Sequence, residues 1–200
     1  NANVTNVYNY GVAGGIGGYT DGSKYNFTKI TDCTNNGKID AENVAGGILG
    51  IGGHVEITNC VNNAQVNANG NASGIANAQD GKGDIINCAN NGSVVSSNGN
   101  AAGILISGGT MTVKNCFNSE NVSGLQGSYA IACYYGVDIS DNIDDARISN
   151  SFYVQTADIN HEIASSNLAF KNDSSKAVTE SDTVYVSAML NSGVTYGMNY

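Results

Sequence analysis

Proline and tryptophan are missing from the 200 residues altogether, arginine occurs once (Arg147), and charged side chains make up only 12 % of the chain, about half the share of an ordinary soluble domain. Each shortage excludes something. Eight Lys+Arg stand against 17 Asp+Glu, a net charge of −9, so the chain lacks the cations that release counterions from a phosphate backbone, and nucleic acid is excluded as a partner. No apolar run approaches the roughly 18–20 residues of a membrane helix. No charged-then-apolar leader opens the chain, whose first residue, Asn1, reads as the start of a piece of a longer polypeptide. With no proline, every strand residue can donate a backbone hydrogen bond. What the chain has instead is 26 Gly, 30 Asn, 11 Tyr and a 41 % hydrophobic content. That apolar share, at low charge, excludes disorder.

Internal repeats decide the fold. Ile30-Thr31-Asp32-Cys33, Ile57-Thr58-Asn59-Cys60, Ile85-Ile86-Asn87-Cys88 and Val113-Lys114-Asn115-Cys116 align, with cysteines 27, 28 and 28 residues apart. Val4-Thr5-Asn6-Val7 and Ile148-Ser149-Asn150-Ser151 read as degenerate end copies. Two residues after each Cys stands Asn35, Asn62, Asn90 or Asn118; six after it, Ile39, Val66, Val94 or Val122. Further on come Ile48, Ile75, Ile104 and Ile131, each preceded by a small residue, Gly47, Gly74, Gly103 or Ala130.

The apolar stretches are short, rich in Ile and Val, and separated by Asn-Asn-Gly or Gly-Gly, which is strand and turn chemistry without a 3.6 period. A unit of this length suits one coil of a parallel β-helix, stacked at about 4.8 Å per coil. We therefore expect an all-β fold, a right-handed parallel β-helix of about 5–6 coils, the hand following the crossover preference of parallel strands. Coils fall near 4–29, 30–56, 57–84, 85–112, 113–147 and 148–153, so that residues 1–153 form the repeat domain. Residues 154–200 form a C-terminal capping segment, with a short helix over 181–192 that covers the open end. Stacking places Asp32, Asn59, Asn87, Asn115 and Asn150, and separately Asn35, Asn62, Asn90 and Asn118, in polar ladders at corners. The glycine column marks a place where only a small residue fits.

The unit I-x-N-C-x-N-x-G-x-V … A-G-G-I-x-x-G-G resembles the GLUG-motif repeats of bacterial surface proteins. The stretches that carry it best are Ala45-Gly46-Gly47-Ile48-Leu49-Gly50 with Ile57-Thr58-Asn59-Cys60, and Ala101-Ala102-Gly103-Ile104-Leu105 with Asn115-Cys116. Val7, Ser151 and Ala130 depart from the pattern. The resemblance implies a large secreted or cell-wall-attached bacterial protein, an extracellular location, and no catalytic residues to carry over.

Each candidate site has a plain structural role as its alternative. Cys33, Cys60, Cys88 and Cys116 form one thiol per coil in a vertical line; a reduced internal ladder is favoured over one disulfide or a metal site, because stacked side chains point in parallel and the spacing is not that of paired Cys-x2-Cys ligands. Cys133 falls in the Gly50/Asn77/Ile106 column, outside the ladder. Asp138, Asp141, Asp144 and Asp145 form an acidic cluster that is a weak candidate for Ca²⁺, against a solvated loop; the spacing follows no calcium-loop pattern. No other cofactor is indicated. Gly14-Gly15-Ile16-Gly17-Gly18 lacks the G-K-[ST] of a phosphate loop and belongs to the small-residue column. Tyr134, Tyr135 and Tyr153 are candidates for stacking on sugar rings, against the alternative that they pack on turns and coil ends.

Two functions remain. The first is a non-catalytic surface or secreted module, a rigid scaffold or adhesin-like segment whose partner is a glycan or a surface protein. The second is a polysaccharide lyase or glycoside hydrolase built on the β-helix. For it, Asp40 with Glu42 and Glu56 with Asp84 are the carboxylate pairs to inspect. A lyase further needs a cation to neutralise a uronate, and Arg147 is the one arginine.

Overall fold

The computed structural model describes residues 4–6, 11–22, 26–135, 148–154, 158, 161–165 and 175–178. Short strands follow one another around a tube. A partial winding holds β1 (Val4–Asn6), β2 (Val12–Gly14) and β3 (Gly17–Thr20). The next holds β4 (Thr28–Thr31), β5 (Thr34–Asn35), β6 (Ile39–Ala41), β7 (Val44–Gly46) and β8 (Leu49–Gly52). Above it come β9 (Val55–Thr58), β10 (Val61–Asn62), β11 (Val66–Ala68), β12 (Ala72–Ser73) and β13 (Ala76–Ala78). The third full winding has β14 (Lys82–Ile86), β15 (Ala89–Asn90), β16 (Val94–Ser96), β17 (Asn100–Ala102) and β18 (Leu105–Ser107). The fourth has β19 (Thr110–Lys114), β20 (Phe117–Asn118), β21 (Val122–Gly124) and β22 (Gly127–Tyr134). Then follow β23 (Ile148–Ser149), β24 (Ser151–Val154), β25 (His161–Ser165) and β26 (Ser175–Val178). The result is an all-β solenoid of about four turns, with no helix among the described residues.

Each strand pairs in parallel with its equivalent one winding away, giving four walls. The first wall is β4-β9-β14-β19-β23 and the second β5-β10-β15-β20-β24-β26. The third is β1-β6-β11-β16-β21. The fourth is a folded sheet whose two rows, β2-β7-β12-β17 and β3-β8-β13-β18, join in β22, which runs through the bend that splits the earlier windings.

Register explains why the repeat letters recur. Ile30, Ile57, Ile85, Val113 and Ile148 stand over one another in the first wall, and Ile39, Val66, Val94 and Val122 in the third. All but Ile30, which is 8 % exposed at the open edge, are fully buried, each side chain stabilising by about 2 kcal/mol as apolar area leaves water. The branched side chains suit the pleat and lose little rotamer freedom there.

Between the first and second walls the backbone turns sharply. Asp32, Asn59, Asn87, Asn115 and Asn150 all have φ between 47° and 58°, the left-handed region that Asn and Asp enter at lower cost than other side chains. That conformation is the physical reason for the Asn or Asp before each Cys. Between the rows of the fourth wall, a Cβ on Gly47, Gly74 or Gly103 would stand 2.0–2.2 Å from the carbonyl oxygen one winding on, and 2.5, 2.4 or 2.6 Å from Cγ of Asn62, Asn90 or Asn118. Ala130 breaks the glycine column at the level where the next residue of the amide column is Tyr153, paired with Asn118, and no longer an asparagine.

Two expectations need correction. Val4-Thr5-Asn6 is not a copy of the tetrad: Val4 pairs with Ile39 and Asn6 with Ala41, so the segment belongs to the third wall. A three-residue run of apolar and polar residues reads alike for any short strand, and only register separates the walls. Nor does stacking stop at residue 153, since β25 pairs in parallel with β22 and β26 with β24. Backbone pairing persists there without the Asn-Cys signature. The helix expected over 181–192 lies outside the described residues.

Candidate functional site

The thiol column is built by the first corner. Cys60, Cys88 and Cys116 are buried and Cys33, at the open edge, is partly exposed; all are free thiols. Each donates to a carbonyl two residues back, Thr31 at 3.1 Å, Thr58 at 3.4 Å, Ile86 at 3.3 Å and Lys114 at 3.3 Å. Ser151 takes the same place in the next winding: its hydroxyl donates to Ser149 O at 3.1 Å and accepts from Cys116 N at 3.3 Å. The Cys88 thiol and then burial push Cys60 up, burial and then Cys116 push Cys88 up, and burial with Cys60 raises Cys33. Thiols held protonated are poor nucleophiles and poor metal ligands. Among the described residues no group of three His, Cys, Asp or Glu side chains could hold a metal ion. The acidic cluster Asp138, Asp141, Asp144 and Asp145 lies outside the described residues.

Two amide ladders flank the thiols. In the inner one, Asn35 donates to Asn62, Asn62 to Asn90 and Asn90 to Asn118, each at 2.8 Å. Every member also donates to the carbonyl two residues on, at 2.7–2.9 Å. In the outer one, Asn59 donates to Asp32 at 3.0 Å, Asn87 to Asn59 at 3.2 Å and Asn115 to Asn87 at 3.1 Å. Asn63 to Asn36 and Asn91 to Asn63, both 2.9 Å, add a third that sequence reading did not single out.

The carboxylate pairs are placed on outward faces. Asp40 and Glu42 line a cleft of about 420 Å³ on the third wall. Asp40 accepts from Asn67 at 2.7 Å and pairs with Lys38 at 3.1 Å, while Glu42 accepts from Asn69 at 3.0 Å. Glu56 and Asp84 are register neighbours, but Glu56 pairs with Lys29 at 2.8 Å, and Asp84 accepts from Thr112 with Lys114 at 3.9 Å.

The tyrosine candidates separate. Tyr134 and Tyr153 are each 1 % exposed, and the Tyr134 hydroxyl donates to Met111 O at 3.1 Å; both fill the tube interior and neither can meet a ligand. Tyr135 is 38 % exposed; burial, then Asp80 and Cys133, raise its phenol pKa. Cys133 is buried in a small outer cluster with Ala102, Ile106 and Tyr129, and burial pushes its thiol up to about 12.

One site carries no signature in the repeat. The second row of the fourth wall ends in register at Thr20, Gly52, Ala78, Ser107 and Tyr134. One residue further on, the corner column reads Asp21, Gly53, Gln79, Gly108, Tyr135, so side chains alternate with glycines. Tyr135 lies across Gly108, its Cε2 3.1 Å from where a Cβ would be. Above Gly53 the gap stays open as a cleft of about 300 Å³ lined by Tyr19, Asp21, Ile51, His54, Gln79 and Asp80. Tyr19 is 65 % exposed. His54 Nδ1 lies 3.2 Å from Gly22 O; a carbonyl only accepts, so Nδ1 carries the proton and a neutral ring keeps Nε2 as an acceptor. Phe27 meets the His54 ring edge-on at 5.4 Å and 89°. The sequence held one clue, the doubled glycines 52–53 and 108–109, which leave a corner bare of side chains.

Compared with protein-family models, with curated proteins and with solved structures, the chain matches none.

Proposed function

We propose that the chain is a non-catalytic surface or secreted module, of the GLUG type its repeat resembles, that works outside a bacterial cell as a rigid scaffold presenting ligand-binding corners. In this reading the solenoid is right-handed and counts five to six coils with its partial windings, and residues 181–192 close its end as a helix. The observation that carries the proposal is where the outward carboxylates spend their lone pairs: Asp40, Glu42, Glu56 and Asp84 are each held by an amide, a hydroxyl or a lysine of the same or a neighbouring winding. They stabilise stacking.

A carbohydrate-active enzyme is the second reading, favoured by one feature, the shared cleft of Asp40 and Glu42. Glycoside hydrolysis needs one carboxyl group to give its proton to the leaving oxygen and the other to face the sugar or a water. Both groups here already receive amide protons. The experiment is incubation of the purified chain with a panel of neutral and acidic polysaccharides, monitored for new reducing ends and unsaturated products, alongside a glycan array. Binding without product release is expected. Turnover of any polymer that disappears in Asp40→Asn or Glu42→Gln would replace this reading with the enzyme.

A further inference from the structure

We propose that the cleft above Gly53 is a subsite for one neutral pyranose unit of a glycan, an inference that rests on the ligand-presenting reading above and gives that ligand a chemical class. A cleft of about 300 Å³ is at the small end of ligand pockets, matched to a single ring. One wall is apolar: Tyr19, the most exposed aromatic among the described residues, stands beside Ile51. A pyranose presents an apolar C–H face that packs on such a ring, whose negative π-face attracts the polarised hydrogens. The opposite walls are polar and planar. Asp21 and Asp80 can each accept from two vicinal hydroxyls, Gln79 can both donate and accept, and His54, its Nδ1 turned to Gly22 O, leaves Nε2 to face a ligand.

The floor is backbone alone. A Cβ on Gly22 would come 2.1 Å from His54 O, and one on Gly53 would come 2.8 Å from Gly22 O. The amide N–H of Gly53 and of Gln79 are already bonded to Thr20 O and Gly52 O, so specificity falls to the side chains. Asp40 and Glu42 offer the contrast, since they face a larger cleft yet bond to Asn67 and Asn69, whereas Asp21, Gln79 and Asp80 make no side-chain hydrogen bond among the described residues.

Two other occupants fail on physical grounds. A cation lacks ligands there: among the described residues no group of three His, Cys, Asp or Glu side chains could hold one, and Asp21 and Asp80 stand two windings apart in the stack. Uronates, sialic acids and phosphates would meet two carboxylates with no Lys or Arg among the lining residues, and like charges repel in a partly desolvated site.

The test is titration of the ¹⁵N-labelled chain with methyl β-D-glucopyranoside, methyl β-D-galactopyranoside, methyl α-D-mannopyranoside and D-glucuronate, following amide and ring signals by NMR. Saturable shifts of Gly22, Gly53 and His54 are expected with at least one neutral pyranoside at millimolar levels, with glucuronate weaker by about tenfold or more. Tyr19→Ala and Gln79→Ala are each expected to weaken binding by about tenfold or more, while Leu125→Ala, at a side chain 73 % exposed that does not line the cleft, leaves it unchanged. Tyr19 is exposed, so its variant keeps the fold, as its unperturbed spectrum checks. No shift with any neutral pyranoside, unchanged binding in both cleft variants, or glucuronate binding as tightly, overturns the subsite. Turnover of a polymer would instead overturn the parent reading and is scored separately.

Discussion

The inner and outer asparagine ladders use one residue type for two different jobs, and in the third winding they can be compared three residues apart. Asn90 is fully buried. Its amide donates to Gly92 O at 2.7 Å and Asn118 at 2.8 Å, and its carbonyl accepts from Asn62 at 2.8 Å and Gly92 N at 3.4 Å. Asn87 is half-buried, makes single bonds to Asn59 and Asn115, and has φ 58°. The inner ladder is therefore held by its hydrogen bonds and the outer by its backbone. Buried polar groups count for most when a partner is removed, because the remaining group cannot turn to water.

That contrast can be broken by substitution. Asn90→Ala should destabilise by about 4 kcal/mol in urea melts, leaving Asn62, Asn118 and the Gly92 backbone unsatisfied. Asn87→Ala should cost only about 1–2 kcal/mol, the price of a left-handed alanine, and Asn87→Gly should recover most of it. Equal losses at the two positions would erase the distinction.

The glycine column sharpens it next. Gly74→Ala drives a Cβ into Gly103 O and Asn90 Cγ and should cost about 3 kcal/mol by overpacking. Ala130→Gly, at the level where Tyr153 has replaced the asparagine, should cost only about 1–2 kcal/mol, through backbone entropy and the loss of one buried methyl. The smallest effect has the opposite sign. The Ser73 hydroxyl is buried without a hydrogen-bond partner among the described residues, so Ser73→Ala should raise stability by about 1 kcal/mol, read as a higher urea midpoint at constant slope.

The walls were legible because stacking forces equal environments on residues one period apart: Ile57 over Ile30 and Val66 over Ile39 are chemical neighbours as well as alignment partners. The left-handed turn was not foreseen, although Asp32 and its equivalents were placed at a corner, because a ladder alone already accounted for their amides. The cleft was illegible for the converse reason. Asp21, Gly53, Gln79, Gly108 and Tyr135 share a column but no chemistry, so alignment has nothing to match. Val4 was misplaced because three residues fit any wall. Tyr134 and Tyr153 stand open in the sequence between stacking on a sugar and packing at coil ends because tyrosine suits both a rim and a wide interior, and only the tube's cross-section distinguishes them.

The two amide strings also run in opposite directions. Each inner amide hands its proton up the axis from Asn35 toward Asn118, and each outer amide hands its own down toward Asp32. Peptide-like dipoles of about 3.5 D add when aligned and cancel when opposed, so the inner string works against the outer one and against the Asn91–Asn63–Asn36 string that runs with it. Asp32 closes the descending string: its carboxylate oxygen accepts a hydrogen bond from Asn59 and the side chain has no N–H to extend the row. At that rim the sequence has exchanged an amide for a charge, a terminus that gives an approaching donor somewhere to bind and an approaching acceptor nothing.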